Sequence, residues 1–155
     1  MASRDDYILN VSNLTVKFQD QTVLDSVSFK LKKGITLAII GPNGAGKTVL
    51  FRALLNLVPY SGKIAWSDGV KIGYVPQYLS ASDIPISVRE FLSFKNSANI
   101  KWIESSLSSV GLDAKGLLNK RLGVLSGGQL RRVLIAHAII DKPNILLFDE
   151  PTTGV

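Results

Sequence analysis

The sequence predicts a mixed α/β fold in three parts: antiparallel strands first, then a parallel-sheet core, and a helical insertion within that core. Three observations carry this. Residues 8–31 alternate with period two: Leu14, Val16 and Phe18 against Thr15 and Lys17, then Val27, Phe29 and Leu31 against Ser28, Lys30 and Lys32. That is the pattern of half-exposed strands. Two short apolar runs, Ile35–Ile40 and Ile145–Phe148, have the length of buried strands. Between about 79 and 140, helical periodicity and helix-start patterns replace the strand patterns.

Each element has a local cause. Gln19-Asp20-Gln21 is the polar turn between the first two strands, and Gly34 leads into the apolar run that follows. Val49–Val58 reads as a largely buried helix, closed by a turn at Pro59 and Gly62. Lys63–Trp66 and Val70–Val75 are short strands around the tight-turn pair Asp68-Gly69. Residues 78–86 form a loop. Ser87-Val88-Arg89-Glu90 is a capping-box pattern, so a helix is expected from Val88 to about Lys95. The next helix carries Ile100, Ile103, Leu107 and Val110 on one stripe and stops at Gly111. Residues 112–124 are loop-rich. Ser126 stands three residues before Gln129 at the start of another helix, whose apolar stripe is Leu130, Val133, Leu134, His137 and Ile140. His137, the only histidine, is therefore read as a packed side chain. Pro143 ends that segment. The expected division is 1–34 for the antiparallel part, 35–78 with 141–155 for the core, and 79–140 for the helical insertion.

Bulk properties bound the function. The chain has 155 residues, enough for one domain, with 46% hydrophobic and 19% charged residues, as in globular proteins. No apolar run approaches the roughly 20 residues of a membrane span, and Met1–Tyr7 lacks a signal-peptide apolar region. A cytosolic location is expected. Without cysteine there are no disulfides and no thiolate metal sites. The formal charge is +6, but the basic residues are scattered in short pairs such as Lys32-Lys33 and Arg131-Arg132. The charge is read as a solvated surface plus phosphate contacts, and no nucleic acid is expected as a partner.

One stretch points to chemistry. Gly41-Pro42-Asn43-Gly44-Ala45-Gly46-Lys47-Thr48 has the form G-x-x-x-x-G-K-[ST], a phosphate-binding loop. Its glycines let the backbone curl and turn successive N–H groups inward as a nest for anionic oxygens. Lys47 supplies a full positive charge, Thr48 a hydroxyl that can ligate Mg²⁺, and the helix continuing at Val49 a positive N-terminal end. Downstream, the apolar run Ile145–Phe148 ends in Asp149-Glu150. The carboxyl end of a parallel strand opens onto a ligand crevice, and successive side chains leave on opposite sides. Asp149 is expected in the Mg²⁺ shell and Glu150 is expected to polarise the attacking water.

Leu125-Ser126-Gly127-Gly128-Gln129, taken with the phosphate loop and Leu146–Pro151, resembles the nucleotide-binding subunit of ATP-binding cassette (ABC) proteins over essentially the whole chain. The resemblance implies a P-loop NTPase core of ABC type that binds ATP with Mg²⁺. It implies a head-to-tail dimer of two copies, in which Ser126, Gly127, Gly128 and Gln129 of one face the phosphate loop of the other. Phe18 resembles the family's adenine-stacking aromatic, where Tyr is usual; an ordinary sheet-face Phe is the other reading. Gln77 resembles the glutamine that reaches Mg²⁺ and the water; a structural loop glutamine is the other reading. Arg131 stands where these proteins often carry Gln, and His137 where many carry Arg.

Lys71–Gln77, Asp83–Leu92 and Asp149–Val155 further resemble the ATPases of bacterial zinc and manganese importers. This implies a motor at the inner face of the cell membrane that hydrolyses ATP to drive metal uptake through a separate permease. A soluble cassette acting on nucleic acid or ribosomes is the alternative. Val155 falls before the family's switch histidine and last strands, so the chain resembles a C-terminally truncated cassette. Weak nucleotide binding, little or no hydrolysis and an unpaired edge on the Ile145–Phe148 strand are expected.

Overall fold

The computed structural model describes residues 7–77, 85–95 and 99–149. Two compact units divide at Val70/Lys71.

The first unit is built on strands β1 (Tyr7–Phe18), β2 (Gln21–Lys32) and β3 (Ser61–Trp66), with β1 central and both pairings antiparallel. Period two operates as expected. Leu9, Val11, Leu14 and Val16 are buried, and opposite them on the same face stand Leu31, Phe29, Val27 and Leu24 of β2. β3, expected within the core segment, joins this sheet instead. Its Ile64 and Trp66 extend the apolar face opposite Val11 and Leu9. Gly62 is essential there: at φ +93, a Cβ would stand 2.2 Å from the Asn13 carbonyl oxygen. Helix α1 (Lys47–Leu54) buries Leu50, Phe51, Ala53 and Leu54. It ends earlier than the apolar run suggests, because Asn56 turns left-handed at φ 58. Trp66 Nε1 donates to the Leu54 carbonyl at 3.2 Å, tying β3 to the end of α1.

The run Ile35–Ile40 does not form the expected strand. No described strand pairs with it, and Ile35, Leu37 and Ile40 are 61%, 47% and 93% exposed. A strand exists only through inter-strand hydrogen bonds, and apolar composition alone does not supply them.

The second unit pairs β4 (Ile72–Val75) with β5 (Ile145–Phe148) in parallel, Ile72 opposite Ile145 and Val75 opposite Phe148. β4 is the only described strand beside β5. The helices between them are α2 (Val88–Ser93), α3 (Ile100–Ser109), α4 (Ala114–Leu117) and α5 (Gly127–Ile139). They share a core of Val88, Leu92, Ile103, Leu107, Leu122 and Val133. The stretch expected to be loop-rich contains α4, started by the Asp113 carboxylate accepting from Lys115 N–H, and a 3-10 turn over Leu122–Val124. Both expected capping boxes form. Ser87 caps α2 and Ser126 caps α5, each reciprocated by the side chain three residues on. Gly111 stops the α3 segment at φ +72.

α5 lies directly on β4. A Cβ at Gly73 would stand 2.5 Å from the Ala138 carbonyl oxygen, so only glycine permits this approach. His137 packs as expected. Its ring stacks on Phe91 with centroids 4.4 Å apart, and burial, with Lys95 nearby, lowers its pKa to about 4.

Candidate functional site: a phosphate loop, a capped serine helix and a buried carboxylate

The loop preceding α1 is wound by two left-handed glycines, Gly44 at φ +83 and Gly46 at φ +87. Ala45 N–H donates to the Pro42 carbonyl at 3.2 Å and Leu50 N–H to the Gly46 carbonyl at 2.8 Å, which joins loop to helix. Gly46 packs against β2, its missing Cβ only 2.9 Å from Leu24 Cδ2. Lys47 arches back over the loop, donating from Nζ to the Gly41 and Pro42 carbonyls at 2.9 Å each. A concave cradle with an ammonium across its mouth results. No side chain caps the N-terminus of α1 and no acid lies in its first turn. Its leading N–H groups around Thr48 and Val49 thus point their positive dipole end at whatever fills the cradle. Asn43 lies within the same loop. Phe18 ends β1 at the hairpin that leads into β2 and is 42% exposed.

In the second unit, parallel pairing brings Gln77 and Asp149 to the same end of adjacent strands, just past Val75 and Phe148. Gln77 is exposed, and its carbonyl accepts from Arg131 Nη1 of α5 at 3.5 Å. Asp149 is 1% exposed. Tyr74 Oη donates to its Oδ2 at 3.3 Å, while Oδ1 is buried with no hydrogen-bond partner. A buried carboxylate oxygen without a donor is costly in a folded protein. An anionic, hard oxygen held out of water and unsatisfied fits a divalent cation such as Mg²⁺. Glu150 lies outside the described residues.

Ser126 is the third phosphate-competent feature. Its hydroxyl accepts from Gln129 N–H at 3.2 Å, and Gln129 Oε1 accepts from Ser126 N–H at 3.1 Å. The hydroxyl proton is not consumed by that cap. Open space surrounds Gly127 and Gly128, so an anion can approach the helix start closely.

Tyr74 and Arg131 were not anticipated as site neighbours. Tyr74 could have been found from register: it pairs with Leu147, and Asp149 two residues on shares its face. Arg131 gives only the weaker hint of a charge two residues beyond Gln129.

The family model described as "ABC transporter" matches residues 24–153. This chain belongs to the ABC transporter family, as an ATP-binding domain. The zinc import ATP-binding protein ZnuC of Photorhabdus laumondii is 41% identical over 150 residues, covering 96% of this chain and 58% of that protein. ZnuC of Haemophilus influenzae is 38% identical over 150 residues, covering 96% and 55%. The ABC chain thus spans somewhat more than half the length of these relatives. Among solved structures, a chain of an ABC transporter described as metal-chelate type, in an inward-facing conformation, is 31% identical with a TM-score of 0.80, over 97% of this chain and 62% of that one. The cbiO1 protein of Clostridium perfringens, part of the ABC transporter complex cbiONQ, is 30% identical with a TM-score of 0.73, over 97% and 68%. The ABC fold expected from the motifs is the fold observed.

Proposed function

We propose that this chain is the nucleotide-binding part of an ABC importer ATPase that hydrolyses ATP to drive zinc uptake through a separate permease. The zinc reading is favoured by the two ZnuC relatives. The observation that carries ATP binding is the α1 cradle: left-handed glycines, an uncapped helix start and Lys47 across the mouth.

Role by role, the backbone of Gly41–Thr48 and the start of α1 take the phosphates, and Lys47 exchanges its two carbonyl bonds for phosphate oxygens. Phe18 stacks on the base. Thr48, Gln77 and Asp149 would hold Mg²⁺, which when bound neutralises the charge on the phosphate oxygens. Glu150 orients and deprotonates the attacking water, and Gln77 helps position it. Ser126 and the N–H groups that follow serve the nucleotide held by a second copy, so a dimer with ATP at its interface is the working state. The loss of the outermost phosphate removes the anion that bridges the copies, and the pair opens.

The test has two arms. Fluorescent ATP analogue with Mg²⁺ should saturate the native chain, and Lys47→Ala should weaken it at least tenfold. Native and K47A chains that bind alike would refute nucleotide binding at this loop. For the cargo, the complete reading frame should restore growth under zinc limitation to a bacterium lacking its zinc-import ATPase, and Glu150→Gln should not. Growth restored by the E150Q form would overturn the role given to Glu150.

A further inference from the structure

Asp149 has little freedom to move. Its N–H donates to the Val75 carbonyl at 3.0 Å, one ladder bond beyond the end of β5, so the backbone is fixed where the side chain departs. The side chain is 1% exposed and hemmed in by its neighbours. What remains open is which way the carboxylate faces, and that falls to Tyr74.

Tyr74 is held as firmly. It stands opposite Leu147, and the period of two puts Asp149 on its own face of the ladder. The residue before it, Gly73, is pressed so close to the Ala138 carbonyl that β4 cannot move nearer α5. The half-buried phenol ends on Asp149 Oδ2 at 3.3 Å. A phenol carries one proton and serves one oxygen. Oδ1 is left buried with no donor. An arginine in this place would take both oxygens with its fork, and a phenylalanine would take neither. Tyrosine makes the two oxygens unequal.

That inequality bears on the choice of cation. Mg²⁺ is small and demands near-ideal octahedral geometry, which a carboxylate meets with one oxygen. Ca²⁺ is larger, takes about six to eight oxygens, and accepts a carboxylate through both of its own. We propose that Tyr74 is a positioning residue that sets cation specificity: by holding Oδ2 it makes Asp149 a one-oxygen ligand, and so favours Mg²⁺ over Ca²⁺. This rests on the reading of Asp149 as a cation ligand and adds to it a residue to which that reading gives no role. Orientation of a metal-binding side chain by a hydrogen-bonded neighbour is a general way of tuning a site.

Binding of a fluorescent, non-hydrolysable ATP analogue to the protein made from the complete reading frame tests it, in Mg²⁺, in Ca²⁺ and in EDTA. The native protein should bind more tightly in Mg²⁺ than in Ca²⁺. Tyr74→Phe should cut that preference about tenfold, roughly the worth of one hydrogen bond to a charged group, while binding in EDTA stays native. Equal weakening in all three conditions would mean a merely structural role and overturns the proposal. So does an unchanged ratio of Mg²⁺ to Ca²⁺ affinities, or a native protein without the preference. Asp149→Asn separates the proposal from the reading beneath it. If D149N binds in Mg²⁺ as the native protein does, Asp149 is no cation ligand and both fall. If D149N loses the Mg²⁺ preference while Tyr74→Phe keeps it, only the role of Tyr74 falls. Should Tyr74→Phe fail to fold, infrared difference spectra of the native protein with isotope-labelled aspartate, Mg²⁺-loaded minus metal-free, still decide. A one-oxygen ligand keeps its two carboxylate stretches far apart, which is the expected result. A narrowed pair that Asp149→Asn abolishes means two-oxygen ligation and overturns the proposal.

Discussion

Asp149 combines near-complete burial, one tyrosine donor and one oxygen with no donor. Tyr74→Phe would remove the hydroxyl that donates to Oδ2 and should destabilise the second unit by about 1–3 kcal/mol, read from urea unfolding. Mg²⁺ should recover part of that loss if the free oxygen is a cation ligand, since a ligand that binds only the folded state raises stability. An unchanged midpoint would show that Tyr74 is not a needed partner. Gly73 is as constrained by shape as Asp149 is by charge. Gly73→Ala would drive a methyl group to 2.5 Å from the Ala138 carbonyl oxygen, and a loss of about 1–3 kcal/mol is expected from the overpacking. His137 sets a pH dependence. Its folded pKa of about 4 lies below the 6.5 of an unburied imidazole, so the fold prefers the neutral ring. The stability it supports is present above pH 6.5 and is lost as pH falls from there toward 4, by at most about 3 kcal/mol. His137→Phe should flatten the urea midpoint against pH over that window; an unaltered slope would assign the dependence elsewhere. Glu90 acts in the same direction at lower pH. The Ser87 backbone and side chain hold its carboxyl below 4.5, so the cap weakens on acidification.

At the scale of elements, the contrast among helix starts is informative. Ser87, Asn99, Asp113 and Ser126 each accept a hydrogen bond from the first turn of their own helix, whereas Gly46 supplies none. A helix start that a side chain has not filled is open to a ligand. For α5, capping and ligand binding can be separated. Ser126→Asp should keep the cap, because aspartate is as good an N-cap as serine. Yet it would place a negative charge where the second copy's phosphate is proposed to sit. Unchanged thermal stability with loss of ATP-dependent pairing in gel filtration is the expected result; pairing that survives would remove Ser126 from the interface. The apolar run Ile35–Ile40 is a different case, exposed and without a partner strand. It should bind the dye ANS in the 155-residue chain, and Ile40→Lys should lower that emission.

Across the whole molecule, what could be read in advance had local causes. Capping boxes, the left-handed glycine stop at Gly111 and the period-two strands each depend on residues a few positions apart, and all of these formed. The glycine loop was legible for the same reason. What escaped depended on which segments become neighbours. Nothing near Lys63 says that β3 pairs with β1, and nothing near Ile35 says that its run finds no strand. Tyr74 meets Asp149 only because β4 and β5 share a register.

The β4–β5 pair has a kinetic meaning as well. These strands bracket residues 76–144, and closing so long a loop costs roughly 4 kcal/mol of chain entropy before any ladder bond repays it. Helices held by near-neighbour contacts form sooner than parallel strands that must wait for distant partners. Stopped-flow refolding should therefore show helical ellipticity returning ahead of the fluorescence change that Tyr74→Phe abolishes. Until the β4–β5 ladder closes, Tyr74 cannot reach Asp149, so the buried oxygen without a donor belongs to the fully paired state.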